Sequence, residues 1–219
     1  MCRYAATLFD LDGTLCRHEQ DIEAVFHGAF RDVGCEPVGT PADLWGAMEP
    51  ITAYETAADQ LADAMERVAA EHGRDLDIAA WTAAFRARID WTDVSLLPGA
   101  AAALRAARDN GPVGLLTNGP EPRQSTKLAA LGIAEAFDTL VYAGDLDRRK
   151  PSAEPFERAL AGLDTRAGET LYVGDSLEYD VAGARGAGLP VAWLGDGDPG
   201  EYAPDHTLGT VGELAAVYG

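Results

Sequence analysis

The amino-acid sequence predicts an α/β fold: a doubly wound parallel sheet interrupted by an all-helical insertion. Three observations carry this prediction. An apolar run near the N-terminus ends in two acids, apolar runs alternate with helical patterns from about residue 97 onward, and the stretch between, residues 16–96, holds helix signals only. Strands alternating with helices imply parallel βαβ units whose sheet is covered on both faces.

The first strand is the run Ala5, Ala6, Leu8, Phe9 and Leu11. The insertion follows, with helix signals over Asp21 to Val33, a Thr40-Pro41 start, a break at Pro50, an amphipathic run from Ile51 to His72 and another from Ile78 to Ile89. A separate N-terminal helical domain does not explain this order, because the first strand precedes the helices and would have no sheet to join. Beyond the insertion, LLPGAAAALRAARDNG opens at Pro98 and stops at Gly111, and VGLLTN reads as a buried strand. EPRQSTKLAALG, SAEPFERALAGL and SLEYDVAGARGAG then read as helices, separated by the strands DTLVYAG and TLYVGD and followed by the strand PVAWLG. The sequence thus divides into a sheet-bearing part, 1–15 with 97–219, and a helical part, 16–96. No repeat or heptad suggests a scaffold role.

Composition narrows the function. A chain of 219 residues, 47% hydrophobic, is long enough to bury a core. Its net charge of −19 repels nucleic acids and anionic membranes, so neither is expected as a partner. Only Lys127 and Lys150 among the 17 basic residues are lysines. An acidic, Lys-poor, Ala- and Arg-rich chain resembles the proteins of salt-accumulating halophiles. Cys2, Cys16 and Cys35 lack metal or disulfide spacing and read as reduced thiols. Without an apolar signal core or a bilayer-length segment, the expectation is a cytoplasmic monomer or homodimer.

The acids Asp10 and Asp12 pose the functional question. Asp12-Gly13 is turn chemistry, but that does not account for Asp10 at the end of a buried run, where a carboxylate needs a cation, donors or a metal. Strand alternation would project both acids to one side, and residue types alone leave a turn and a metal or catalytic site both open. Three more polar clusters follow later strands: Thr117-Asn118-Gly119, Arg149-Lys150-Pro151, and Gly174-Asp175-Ser176 with Asp180. Singly, each reads as a cap or a solvated loop. Together they gather carboxylates, a hydroxyl, an amide and a rare lysine at one edge of one sheet.

DLDGTL at 10–15, TNG at 117–119, KP at 150–151 and GDSLEYD at 174–180, in that order, resemble the four motifs of the haloacid dehalogenase-like hydrolase superfamily. The resemblance spans essentially the whole chain and is nearest the phosphatase branch whose second motif reads TNG. It implies a Rossmann-like core with an inserted helical cap, and a Mg2+-dependent hydrolase of small phosphorylated metabolites. By the same resemblance, Asp10 would be the nucleophile that forms an aspartyl-phosphate, and Asp12 the general acid and base. Mg2+ would be held by Asp10, Asp175 and the backbone carbonyl of Asp12. Thr117 and the Asn118 amide would hold phosphoryl oxygens beside Gly119, Lys150 would neutralise charge, and Asp180, with Ser176 alongside, would orient Lys150 or a metal-bound water.

Competing readings are weaker. GDGDPG at 195–200 holds a proline and opens no helix, so it reads as a loop, and an EF-hand starting at Asp10 fails because Leu15 stands where glycine is needed. Of the histidines, only His18 stands near the site motifs; Cys16-Arg17-His18 replaces the acid and serine of many relatives, and Arg17 or His18 would either sit on the surface or favour a second anionic group on the substrate. A 2-haloacid dehalogenase needs no acid at Asp12, whereas a phosphoryl-transferring mutase would share the whole core. A catalytically silent binding protein would not need all of Asp10, Asp12, Lys150 and Asp175.

The charge balance generates a prediction. Repulsion within a chain of charge −19 fades as salt shortens the Debye length. The melting temperature should rise from about 0.1 M to about 2 M KCl, and a flat or falling trace by calorimetry removes the halophile reading.

Overall fold

The computed structural model describes residues 4–49, 53–54 and 56–218. Cys2, the expected break at Pro50 and the expected helix start at Ile51 lie outside the described residues. The chain forms two compact units, Met1–Glu19 with Trp91–Gly219 and Gln20–Asp90.

In the first unit six parallel strands form one sheet in the order β5-β4-β1-β6-β7-β8. They are β1 (Ala6–Phe9), β4 (Val113–Thr117), β5 (Thr139–Tyr142), β6 (Thr170–Gly174), β7 (Val191–Leu194) and β8 (His206–Leu208). The order reverses at β1, which lies between β4 and β6, so the crevice at its C-terminal end is the switch point of the sheet. The strands read as continuous apolar runs because both faces are buried. Phe9, Leu115 and Val173 pack into one layer with Ala103 and Leu104 of α5 (Ala100–Asn110) and Leu128 of α6 (Glu121–Leu131). Leu8, Leu116 and Tyr172 pack into the other with Phe156 and Ala159 of α7 (Ala153–Leu163).

The second unit is helical: α1 (Ile22–Val33), α2 (Pro41–Gly46), α3 (Ala57–Glu71) and α4 (Ile78–Ala87). Thr40 and Thr56 each close a capping box at the start of their helices, satisfying backbone donors that the first turn leaves unpaired. Phe26, Phe30, Trp81 and Phe85 form its aromatic centre.

Three features differ from the expectation. Residues 16–96 are not helical throughout, because β2 (Cys16–His18) and β3 (Val94–Leu96) pair as an antiparallel ribbon that belongs to the sheet-bearing unit. β8 adds a sixth strand. Leu177–Ala182 winds as a π-helical turn, with Val181 N–H on Ser176 O at 3.0 Å, before the short α8 (Gly183–Gly186). Strands of three residues are too short to display a period, and the wide turn carries Asp180, whose contacts are described below. Among the described residues, no helix is long and apolar enough to cross a membrane.

Candidate active site

The site begins where β1 stops. Asp10 N–H still donates to Val173 O of β6 at 2.9 Å, but the strand ends at Phe9 and the chain folds into a turn in which the N–H groups of Leu15 and Cys16 return to Leu11 O. Strand alternation therefore does not place Asp12. The two acids meet different cations: Asp10 meets Lys150 and Asp12 meets Lys127.

Lys150 is 2% exposed, and its ammonium lies 2.7 Å from both Asp10 Oδ1 and Asp180 Oδ1, 2.9 Å from the Tyr172 hydroxyl and 3.2 Å from Leu116 O. Tyr172 in turn donates to Asp180 Oδ1 at 2.7 Å, and Ser176 N–H donates to Asp180 Oδ2 at 3.0 Å. Asp180 is thus committed to Lys150 and its own loop, and this pull accompanies the wide turn that carries it. The Asn118 side chain fixes the Lys150 backbone in both directions, accepting from its N–H at 2.9 Å and donating to its carbonyl at 3.1 Å. That exchange ties the Asn118 side chain to the Lys150 backbone.

Carboxylate oxygens of Asp10, Asp175 and Asp180 lie within 4.8 Å of one another. Burial raises Asp10 well above the ordinary carboxylate range; Lys150 opposes this, while Asp180 and Asp175 add to it. Asp175 is pushed up to about 6 by burial and by Asp180, although it accepts the Thr14 hydroxyl at 3.0 Å. Burial is the larger cause of both raised values and the crowding of carboxylates adds to it; three hard oxygen donors held this close make a set that fits Mg2+. Gly13, at φ +84°, is required here, since a Cβ on it would lie 2.5 Å from the Asp175 carboxylate.

Asp12 lies outside that cluster. Lys127 Nζ is 2.5 Å from its Oδ1 and Gln124 Nε2 is 2.8 Å from its Oδ2. Burial pushes Asp12 up, but Lys127, Gln124 and Arg123 outweigh burial and hold it below the ordinary value. Gln124 also donates to Thr117 Oγ1 at 2.6 Å, and Gly119 N–H donates to the same oxygen at 3.3 Å. With both lone pairs engaged, the Thr117 hydroxyl keeps its proton for an incoming acceptor. Around Trp91, the Arg123 guanidinium stands 5.1 Å and the Lys127 ammonium 5.3 Å from the ring centroid, and His18 packs edge-on at 5.4 Å. Burial, Lys127 and Arg123 hold His18 below its usual value, against the opposing pull of Asp12 and Asp93. Arg17 points to solvent and pairs with Glu19.

The structure thus brings Asp10, Asp175, Asp180, Lys150 and Asn118 into one network, and Asp12 and Thr117 into another. Tyr172, Thr14, Gln124 and Lys127 were missed. Only Lys127 left a signal in the sequence: in a chain with two lysines, both are buried against the two N-terminal acids.

The Asp175 value has a sign that can be measured. Its folded-state pKa of about 6 exceeds the ordinary 3.8, so the native state binds this proton more tightly, and the group's contribution to stability falls as pH rises from 3.8 to 6. At pH 7 in chelator, Asp175→Asn should therefore melt above the wild type. Millimolar Mg2+ should raise the wild-type melting temperature and leave Asp175→Asn unmoved.

Comparison with known proteins agrees with this geometry. Residues 4–188 match the family model described as haloacid dehalogenase-like hydrolase. The chain is 34% identical over 208 residues to a phosphoglycolate phosphatase of Cereibacter sphaeroides, covering 92% of this chain and 88% of that protein. It is 33% identical over 226 residues to the plasmid-borne phosphoglycolate phosphatase of Cupriavidus necator, covering 97% and 92%. The crystal structure of a HAD phosphatase from Thermococcus onnurineus shares the fold, with a TM-score of 0.70 at 24% identity over 98% of each chain. Four motifs in order, a parallel sheet with its acids at the switch point, and a family match over most of the length lead to one conclusion: this chain belongs to the haloacid dehalogenase-like hydrolase family.

Proposed function

We propose that this phosphatase is a Mg2+-dependent phosphomonoesterase that hydrolyses a small phosphorylated acid through an aspartyl-phosphate on Asp10. The observation that carries the reading is the buried Asp10–Lys150–Asp180 network beside Asp175, which combines a nucleophilic carboxylate, a fixed cation and a divalent-metal donor set in one volume.

A carboxylate approaches an anionic ester only if the charge between them is neutralised. Asp10 and Asp175, with the Asp12 backbone carbonyl, would hold Mg2+, which supplies that neutralisation when bound. Thr117 Oγ and the Asn118 N–H orient the phosphoryl oxygens, and Lys150 offsets their growing charge. An Asp10 oxygen forms a bond to phosphorus as the bond to the ester oxygen breaks, and Asp12, ionised in this structure and protonated from solvent as the substrate enters, gives that proton to the leaving alkoxide. Water then attacks phosphorus and loses a proton to Asp12, the Asp10–phosphorus bond breaks, and inorganic phosphate leaves.

The substrate class is supported by the cations around Trp91. In a chain of charge −19, Arg123 and Lys127 stand together beside Asp12, an arrangement suited to a second anionic group on the substrate. The Cereibacter and Cupriavidus relatives are named for phosphoglycolate, whose carboxylate is such a group.

Asp10→Asn should abolish release of inorganic phosphate, as should excess chelator on the wild type; retained turnover in either case overturns the aspartyl-phosphate reading. Arg123→Ala should raise KM for phosphoglycolate by a factor on the order of 10 while sparing ethyl phosphate, as expected for a lost charge-assisted contact. Equal effects on the two substrates remove the second-anion reading.

A further inference from the structure

Both oxygens of the Asp12 carboxylate are held from one face of α6. Lys127 and Gln124 are three residues apart, so they project side by side, and both are buried, at 2% and 0% exposure. Lys127 takes Oδ1 at 2.5 Å and Gln124 takes Oδ2 at 2.8 Å. Gln124 spends its second amide hydrogen on Thr117 Oγ1, at 2.6 Å, so one chain of hydrogen bonds links Asp12 to the hydroxyl that would face the phosphoryl group.

The orientation of Gln124 carries a cost. Its Oε1 is buried with no hydrogen-bond partner among the described residues, a condition that costs stability. Turning the amide over would set that oxygen against the Asp12 carboxylate and the Thr117 oxygen, so the amide remains where both its hydrogens are used. Space is reserved for it as well, since a Cβ on Gly119 would lie 2.5 Å from the Gln124 side chain.

We infer that Lys127 and Gln124 are positioning residues for proton transfer, clamping the ionised Asp12 carboxylate in the orientation from which it takes the proton of the attacking water. This rests on the reading of Asp12 as general acid and base given above. The need for a clamp follows from where Asp12 sits: it lies past the end of β1, in a turn, with its side chain 40% exposed, and nothing in the strand holds its rotamer. A misplaced proton-transfer group costs rate even when binding is untouched.

Lys127→Met keeps the length of the side chain and removes the ammonium, and Gln124→Leu removes the other arm should the first variant fold poorly. Expected for each is a fall in kcat for ethyl phosphate, which carries no second anion, on the order of 10- to 100-fold, with KM changed less than about threefold. With nitrophenyl phosphate, whose leaving group needs little protonation, the first step should survive and the second should slow. Rapid quench should then show a burst of nitrophenol, and intact-mass spectrometry a phosphorylated Asp10. Lys127→Arg should recover part of the loss. Unchanged kcat in both variants, or equal single-turnover losses on the two substrates without a burst, overturns the inference. Asp12→Asn serves as the reference: if it bursts and the clamp variants do not, the clamp alone is wrong, and if it too shows no phosphorylated enzyme, the reading of Asp12 falls and takes the clamp with it.

Discussion

A buried ammonium group organises this protein. Carboxylates withdrawn from water at the rim of an apolar sheet are costly, and Lys150 offsets that cost for two of them at once, at 2.7 Å from each. Much else in the core serves to deliver that cation: the loop after β5 carries it, Asn118 at the end of β4 fixes its backbone, and Tyr172 from the middle of β6 completes its shell. Burial pushes its proton affinity down, but the two carboxylates more than restore it, so it stays charged. One cation does not balance three acids, however, and burial together with the neighbouring carboxylates raises both Asp10 and Asp175 above the ordinary carboxylate range.

The two lysines differ in kind from the fifteen arginines. A compact ammonium on a flexible stem fits between two oxygens in a tight space, where a planar guanidinium would need a wider cradle. Lys150 fills such a space, Lys127 meets one Asp12 oxygen beside the Trp91 ring, and both are almost fully buried. Arginines such as Arg17 and Arg166 instead hold exposed acids at the surface. In a chain that otherwise uses arginine for positive charge, lysine is kept where geometry demands it.

The topology explains why the parts converge. β1 lies at the point where the strand order reverses, so the segments that follow β1, β4 and β6 all open into the same crevice. Asp10 and Asp12, Thr117 and Asn118, and Asp175 and Asp180 are far apart in the chain and become neighbours because their strands are. α6 contributes by packing Leu128 into the core layer on one face of the sheet, which aims the adjacent Gln124 and Lys127 at the turn after β1.

Periodicity and motif order were enough to read the α/β class, most of the sheet and the residues that end its strands, because a strand buried on both faces and a polar cluster at its tip are local features. The same local reading missed β2, β3 and β8, whose three residues each are too few to carry a period. It also treated Asp10 and Asp12 as a pair on one side of a strand, when the strand ends at Phe9, before either. Gln124 and Lys127 looked like two polar positions on an ordinary helix, and Tyr172 like one more apolar strand residue. Their partners lie 112, 115 and 22 residues away, so their roles come from packing alone. Sequence pattern determines what a segment becomes and which residues stand at its ends; which charge a buried side chain meets is settled only when the elements are stacked, since a contact between distant residues leaves no trace in the order of either one's neighbours.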